Sequence, residues 1–296
     1  MESLWGLDAI FEEMYEQICG SGLYHDAKDI LSQNLFSSTG KYVDVLDLVR
    51  LVYDAVMSVA LMLVFIYFLL ALVEKLSSET FTWEHLVKQL ALLLVSKFVL
   101  ENGMVIIEYC FDIGLALFNE ITAVLDGQEA FQNSSLFQTN TSYDQFKDLM
   151  GVGDGSVSGF IKQLFLPFIM FIVLIFPWLL SFIGELLMKL IMYSRIIDIY
   201  LRSMAAPIAF ADFYHGGLQS AGFRYLKNFL AVGIQGALIM LIVAIYSLLV
   251  ATVVPTGFNS LSSFFGFWGI YVSVMAAAVM LMFKSMSLAK EIVGTN

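Results

Sequence analysis

Apolar residues fall in long, unbroken runs along this chain, and short polar stretches separate them. The runs cover residues 48–73, 86–118, 160–184, 226–254 and 264–283. A helix needs roughly 20 apolar residues to cross a bilayer, so each run predicts one transmembrane helix. The apolar positions are continuous rather than alternating, which argues against a lipid-facing barrel; helices and closed barrels are the only structures that satisfy their backbone groups in lipid. The expected fold is therefore an all-α polytopic membrane protein with about five transmembrane helices.

The segments between the runs have their own patterns. Residues 1–47 precede the first run, and Leu4, Leu7, Phe11, Met14 and Ile18 recur at helical spacing, predicting an amphipathic helix on the membrane or against a neighbouring subunit. Residues 119–159 form a polar, acidic loop that ends in the Gly/Ser tract GVGDGSVSG. Residues 185–225 read as interfacial helices, with Lys189, Arg195, Asp198 and Arg202 clustered on one face. Ala206 is biased away from the α region by Pro207, so a helix end is expected there. Pro167 and Pro177 are expected to kink the third span, and Gly233 and Gly236 mark close packing in the fourth. Residues 284–296 form a short basic tail.

Charge inside the runs is the main chemical signal. Arg50 and Asp54 stand four apart near the start of the first run and can pair. The second run carries Lys97, Glu101, Glu108 and Asp112, which at 100° per residue fall within about 60° of one another and form a polar stripe. Such charges at membrane depth face protein or water rather than lipid. Two readings compete. The stripe lines a pore or a subunit contact, or Lys97 and Glu101 neutralise each other and Asn102-Gly103 breaks the helix.

Composition confirms the class and narrows the chemistry. The 296 residues are 59% hydrophobic and 14% charged, against about 25% charged in soluble domains. The acidic amino-terminal residues do not match a secretory signal peptide. Cys19 and Cys110 lie far apart, and His25, His85 and His215 show no ligand spacing, so no disulfide framework or metal site is expected. No zinc-protease, nucleophile-elbow or phosphate-loop motif occurs, so neither an enzyme nor a cofactor is expected.

Basic residues set the expected orientation. With the tail in the cytoplasm, nine basic residues lie inside: Lys75, Lys88, Lys189, Arg195, Arg202, Arg224, Lys227, Lys284 and Lys290. Lys28, Lys41, Arg50, Lys147 and Lys162 lie outside with most of the acids. The amino terminus is then outside and residues 185–225 are cytoplasmic. A six-span arrangement, in which residues 185–202 cross, reverses the amino terminus.

Residues 195–235 are the central segment of this scheme. There Ala206-Pro207-Ile208-Ala209, Phe213 and a basic-aromatic lead (Phe223, Arg224, Tyr225, Leu226) into a span resemble the most recognisable block of the TrbL family. These are polytopic inner-membrane subunits of type IV secretion and conjugation machines. The topology is similar to that family over nearly the whole chain; Tyr214-His215-Gly216-Gly217 stands where family members carry basic residues and threonine. The resemblance implies a multi-copy platform in the bacterial cytoplasmic membrane, in contact with other secretion subunits including ATPases. Transferred DNA or protein cargo would pass nearby. Arg195, Arg202, Pro207, Arg224 and Lys227 are then the candidate contacts to a cytoplasmic partner or to anionic lipid. The alternative is a stand-alone channel or ion-coupled permease that uses the stripe.

Overall fold

A computed structural model describes residues 10, 12–14, 23–77, 82–128, 157–216, 219–253 and 261–295. Most of the expected amino-terminal amphipathic helix, the acidic loop with its Gly/Ser tract, and the connection at Pro255 lie outside the described residues. Among the described residues the regular elements are all helical: α1 (Leu23–Leu31), α2 (Val43–Ser77), α3 (Trp83–Glu101), α4 (Gly103–Asp126), α5 (Val157–Ala211), α6 (Phe213–Gly216), α7 (Ala221–Val253) and α8 (Leu261–Val293).

Four stretches are each long and apolar enough to cross a membrane: Val43–Ser77, Leu174–Ala211, Ala221–Val250 and Gly266–Val293. The bent pair α3–α4 makes a fifth when taken as one span. The chain is thus an all-α polytopic membrane protein. α7 is the most buried of these, with 67% of its apolar window covered, against 17% for α2.

The second and third predicted spans differ from expectation. The second is not one helix, because α3 and α4 meet at Asn102 with a 60° bend. The third does not stop near residue 184 but continues as α5 through 55 residues to Ala211. At 1.5 Å per residue that is about 82 Å, far more than a hydrocarbon core of about 30 Å. Pro207 does not end it. The proline is buried inside the last turn of α5, and the chain leaves the helix only at Asp212. A proline removes one backbone donor but leaves the rest of the ladder intact, and surrounding protein can make up the loss.

The chain divides into two compact units. The first comprises Met1–Ile30, Ile121–Ile191 and Ile239–Lys284. Its buried residues include Leu23, Tyr24 and Ala27 of α1, Met188 of α5, Val243 and Tyr246 of α7, and Tyr271 and Met275 of α8. Gly184 of α5 gives Met275 room, since a Cβ there would stand 2.1 Å from its sulfur. Polar contacts hold α1 in place. Lys28 pairs with Asp126 at 2.6 Å and Asp26 with Lys189 at 2.8 Å. Tyr24 donates to Asp126 at 3.1 Å.

The second unit comprises Leu31–Glu120, Met192–Leu238 and Ser285–Asn296. α2 buries Leu46, Val49 and Tyr53, and α4 buries the line Ile107, Phe111, Gly114 and Phe118. Phe36, ahead of α2, packs edge-on against Phe111 and Tyr200, and Tyr200 donates to the Leu35 carbonyl at 3.0 Å. α4 and α7 meet backbone to backbone at Gly114 and Gly233. A Cβ on Gly114 would lie 2.3 Å from the Gly233 carbonyl carbon.

That crossing tolerates no side chain, because the obstruction is backbone and cannot rotate away. Gly114→Ala should therefore destabilise the protein by about 1–3 kcal/mol or more through overpacking. Gly269 of α8 meets nothing within 4 Å, and Gly269→Ala should stabilise by about 0.5–1 kcal/mol through helix propensity. Unfolding in mixed micelles measures both; equal effects would contradict the crossing.

Burial first, then the neighbouring Asp126 carboxylate, pushes the Tyr24 phenol well above its ordinary value. The folded state favours the neutral hydroxyl, so its contribution is complete below the ordinary phenol pKa of about 10. It is lost progressively as the pH climbs from there through the raised folded value. The tyrosinate absorbance difference between wild type and Tyr24→Phe should stay flat through the range in which exposed tyrosines ionise. A midpoint at the ordinary value would show that Tyr24 is not docked on Asp126.

Candidate functional site

The break between α3 and α4 is built from local chemistry. Asn102 favours its own backbone bonds over a continuing helix, and its Nδ2 and N–H both donate to the Phe98 carbonyl, at 2.9 and 3.1 Å. Its own carbonyl accepts from Ile106 at 3.1 Å and so opens α4. The Leu100 carbonyl, left open by the break, accepts the Tyr53 hydroxyl at 2.9 Å. Gly103 is required at the corner, since a Cβ there would fall 2.2 Å from the Tyr53 oxygen and 2.8 Å from the Phe210 ring.

The polar stripe is arranged around this corner. Ser96 and Leu100 of α3 and Ile107 and Phe111 of α4 face the interior. Lys97, Glu101, Glu108 and Asp112 each follow one of these by one position, about 100° round the helix. They therefore stand at the edge of the buried face, with two residues on each side of the bend. Lys97 and Glu101 pair at 3.5 Å, their side chains 55% and 50% exposed. Glu108 and Asp112 are half-buried, and among the described residues neither has a cation within ion-pair distance. One lysine against three carboxylates leaves the edge with a formal charge of −2. Among the described residues no group of three or more His, Cys, Asp or Glu is placed to hold a metal ion.

The candidate contact residues divide into buried and exposed sets. Arg195 is buried, and its guanidinium is directed at α7. Nε donates to the Val232 carbonyl at 3.3 Å and Nη2 to the Gly233 carbonyl at 3.2 Å. The guanidinium lies flat over Gly236, where a Cβ would be 2.6 Å from Nη2. Arg195 and Pro207 are thus internal and are not presented to a partner or to lipid headgroups. Lys189 leaves the expected cluster as well, since it pairs with Asp26. Arg50 approaches Asp47 at 3.9 Å instead of Asp54.

Arg202, Arg224 and Lys227 remain at the surface. Arg202 is held by Asp198 through two 2.9 Å bonds from Nε. Arg224 is exposed, and Lys227 lies over the Phe223 ring at 5.3 Å.

The turn that carries these cations is tightly tied. Asp212 accepts from the Ala221 N–H at 2.6 Å, and Ser220 Oγ accepts from the Phe223 N–H at 3.1 Å, so the open donors of α7 are capped. The Tyr225 hydroxyl donates to the Arg202 carbonyl, and Tyr214 donates to Gln89 of α3. Burial raises the Tyr214 phenol above its ordinary value, so it stays a donor. Gly222 lies against the Ala209 carbonyl, where a Cβ would be 2.7 Å away. Spacing gives Tyr53 and Phe210 no role, and Tyr214 stands out in the sequence only as a departure from the family block. Each is an ordinary aromatic by pattern, and only its position beside a broken helix or a turn gives it a role.

No family model, no curated protein and no solved structure matches this chain.

Arg195 and Gly236 should be energetically coupled. Gly236→Ala should displace the guanidinium and destabilise by about 1–3 kcal/mol in the native background. In an Arg195→Ala background most of that cost should vanish, giving a coupling of about 0.5–3 kcal/mol in a double-mutant cycle. Additive effects would show that the guanidinium does not occupy the glycine surface.

Proposed function

We propose that the chain is a structural membrane subunit of a type IV secretion or conjugative DNA-transfer machine, either lining or scaffolding its conduit. On this reading it lies in a bacterial inner membrane, as several copies among other secretion subunits and their ATPases. The resemblance of residues 204–235 to the TrbL block suggests the machine. The structural observation that carries the reading is the exposed charge on the bent span. Lys97 and Glu101 are about half-exposed, and Glu108 and Asp112 are incompletely covered by this chain. Asp or Lys facing hydrocarbon at the centre of a span costs about 2.5–3.5 kcal/mol on insertion scales. Another subunit, or the water of a shared lumen, removes that cost.

The edge is acidic and repels phosphate, so it suits a helix–helix contact better than a bare path for DNA. Arg202, Arg224 and Lys227 then form the cytoplasmic contact for a partner or for anionic lipid. In this scheme the amino terminus is outside and the basic tail inside.

A stand-alone channel or ion-coupled permease is the second reading, and the break at Asn102–Gly103 favours it. Transporters place substrate sites at discontinuous helices, and three of the stripe's four charges are carboxylates.

Glu101→Gln with Glu108→Gln separates the two readings. As a machine subunit, the double variant should lose assembly with its neighbours on native gels before cargo selection changes. Normal complexes with altered ion or cargo preference would favour the permease, as would solute transport by the purified chain in liposomes. Topology is tested at Gln219, which is exposed in the turn before α7. With the native cysteines replaced, Gln219→Cys should resist an impermeant maleimide in intact cells and react in inverted vesicles. Labelling from outside would overturn the cytoplasmic placement of the turn.

A further inference from the structure

Within the first unit, α7 and α8 leave a groove of about 260 Å³ between Ile242–Leu249 and Ser273–Leu281, open along one side. We propose that this groove holds one acyl chain of an anionic phospholipid, with the lipid phosphate at Lys284.

The shape of the groove fits this occupant. The groove follows α8 from Ser273 to Leu281, a rise of roughly 12 Å. Over that length the groove is open along one side and lined by apolar side chains, which one extended hydrocarbon chain can follow. The space exists because the α8 wall carries Ala277 and Ala278, while Ile245, Leu249 and Leu281 stand exposed along it.

The chemistry agrees. Two hydroxyls lie on the walls, and both are turned to the protein. Tyr246 donates to the Tyr271 oxygen at 3.3 Å, and Ser273 Oγ donates to the Gly269 carbonyl at 2.7 Å. The slot therefore presents an apolar lining, which favours an alkyl chain over water, an ion or a polar solute.

Position along the membrane sets the headgroup. Lys284 follows Phe283 as the first charge after the apolar run, and it is exposed. It shares a helical face with Ala277 and Leu281, seven and three residues earlier. From Ser273 to Lys284 the helix rises about 16 Å, close to one leaflet of a hydrocarbon core about 30 Å thick. A chain filling the slot from that side therefore ends near the ammonium group, and a basic residue there attracts an anionic headgroup. Among the described residues no carboxylate pairs with Lys284.

The test uses the full chain in nanodiscs containing phosphatidylglycerol that carries a photoactivatable group in its acyl chain. Adducts concentrated on residues 242–249 and 273–281 are expected. Adducts spread evenly over other exposed apolar residues, such as Leu70 and Phe176, would overturn the proposal. Native mass spectrometry should show about a five-fold preference for phosphatidylglycerol over phosphatidylcholine with the same chains, falling toward parity in Lys284→Gln, the size one basic residue supplies. An unchanged preference in that surface variant would reject the headgroup assignment. Ala277→Phe fills the slot and should lose both lipids while keeping its melting temperature in detergent; a well-folded variant that retains both would reject the groove. If Ser273→Cys forms covalent dimers in membranes and no lipid adduct appears, the groove belongs to a second copy and the proposal fails.

Discussion

A helix interrupted inside a membrane leaves carbonyls that water cannot reach, and each needs a partner from the protein. The corner at Asn102–Gly103 meets that requirement with the asparagine's own amide and with the Tyr53 hydroxyl. Much of the second unit follows from this. Tyr53 must be buried against the end of α3, which brings α2 into place, and Phe210 must lie over Gly103, which brings in the end of α5. The bend then directs α4 across α7, where Gly114 and Gly233 let the two backbones touch.

α7 bears the consequences. One of its faces is pressed by α4 at Gly233, and the Arg195 guanidinium covers Gly236 while donating to the carbonyls of Val232 and Gly233. A buried cation without a carboxylate is costly unless its donors are used. Here backbone carbonyls, which carry partial negative charge, take that role. The exposed charges show a different arrangement. The carboxylates of the bent span sit beside the buried face rather than in it, so this chain alone leaves them incompletely covered. An assembly, or a water-filled lumen, is the physical complement to that arrangement.

The first unit is held differently. α1 is docked by two ion pairs and a tyrosine hydroxyl rather than by a glycine crossing. Partly exposed pairs of this kind contribute modestly one by one, so the apolar residues Leu23, Tyr24 and Ala27 supply the larger part of its anchorage. Between α7 and α8 close packing gives way to a groove, and its apolar walls match a lipid chain.

Periodicity and run length determined the class of this protein. The runs are too long and too apolar for a soluble core, and backbone hydrogen bonding in lipid leaves the helix as their structure. Gly233 and Gly236 were readable as close-packing positions because small side chains are what let membrane helices approach, though which neighbour each would meet was not. Only the tertiary structure decided whether a polar residue was inside or at the surface. Arg195 and Arg202 look alike in sequence, seven apart on one face, yet one is buried on α7 and the other pairs with Asp198. Pro207 looked like a terminator because local sterics disfavour helix before it, but packing around the last turn of α5 outweighed that preference. Local patterns set which face a residue takes. Which neighbour lies against that face depends on residues from 37 to 165 positions away, and sequence spacing carries no record of it.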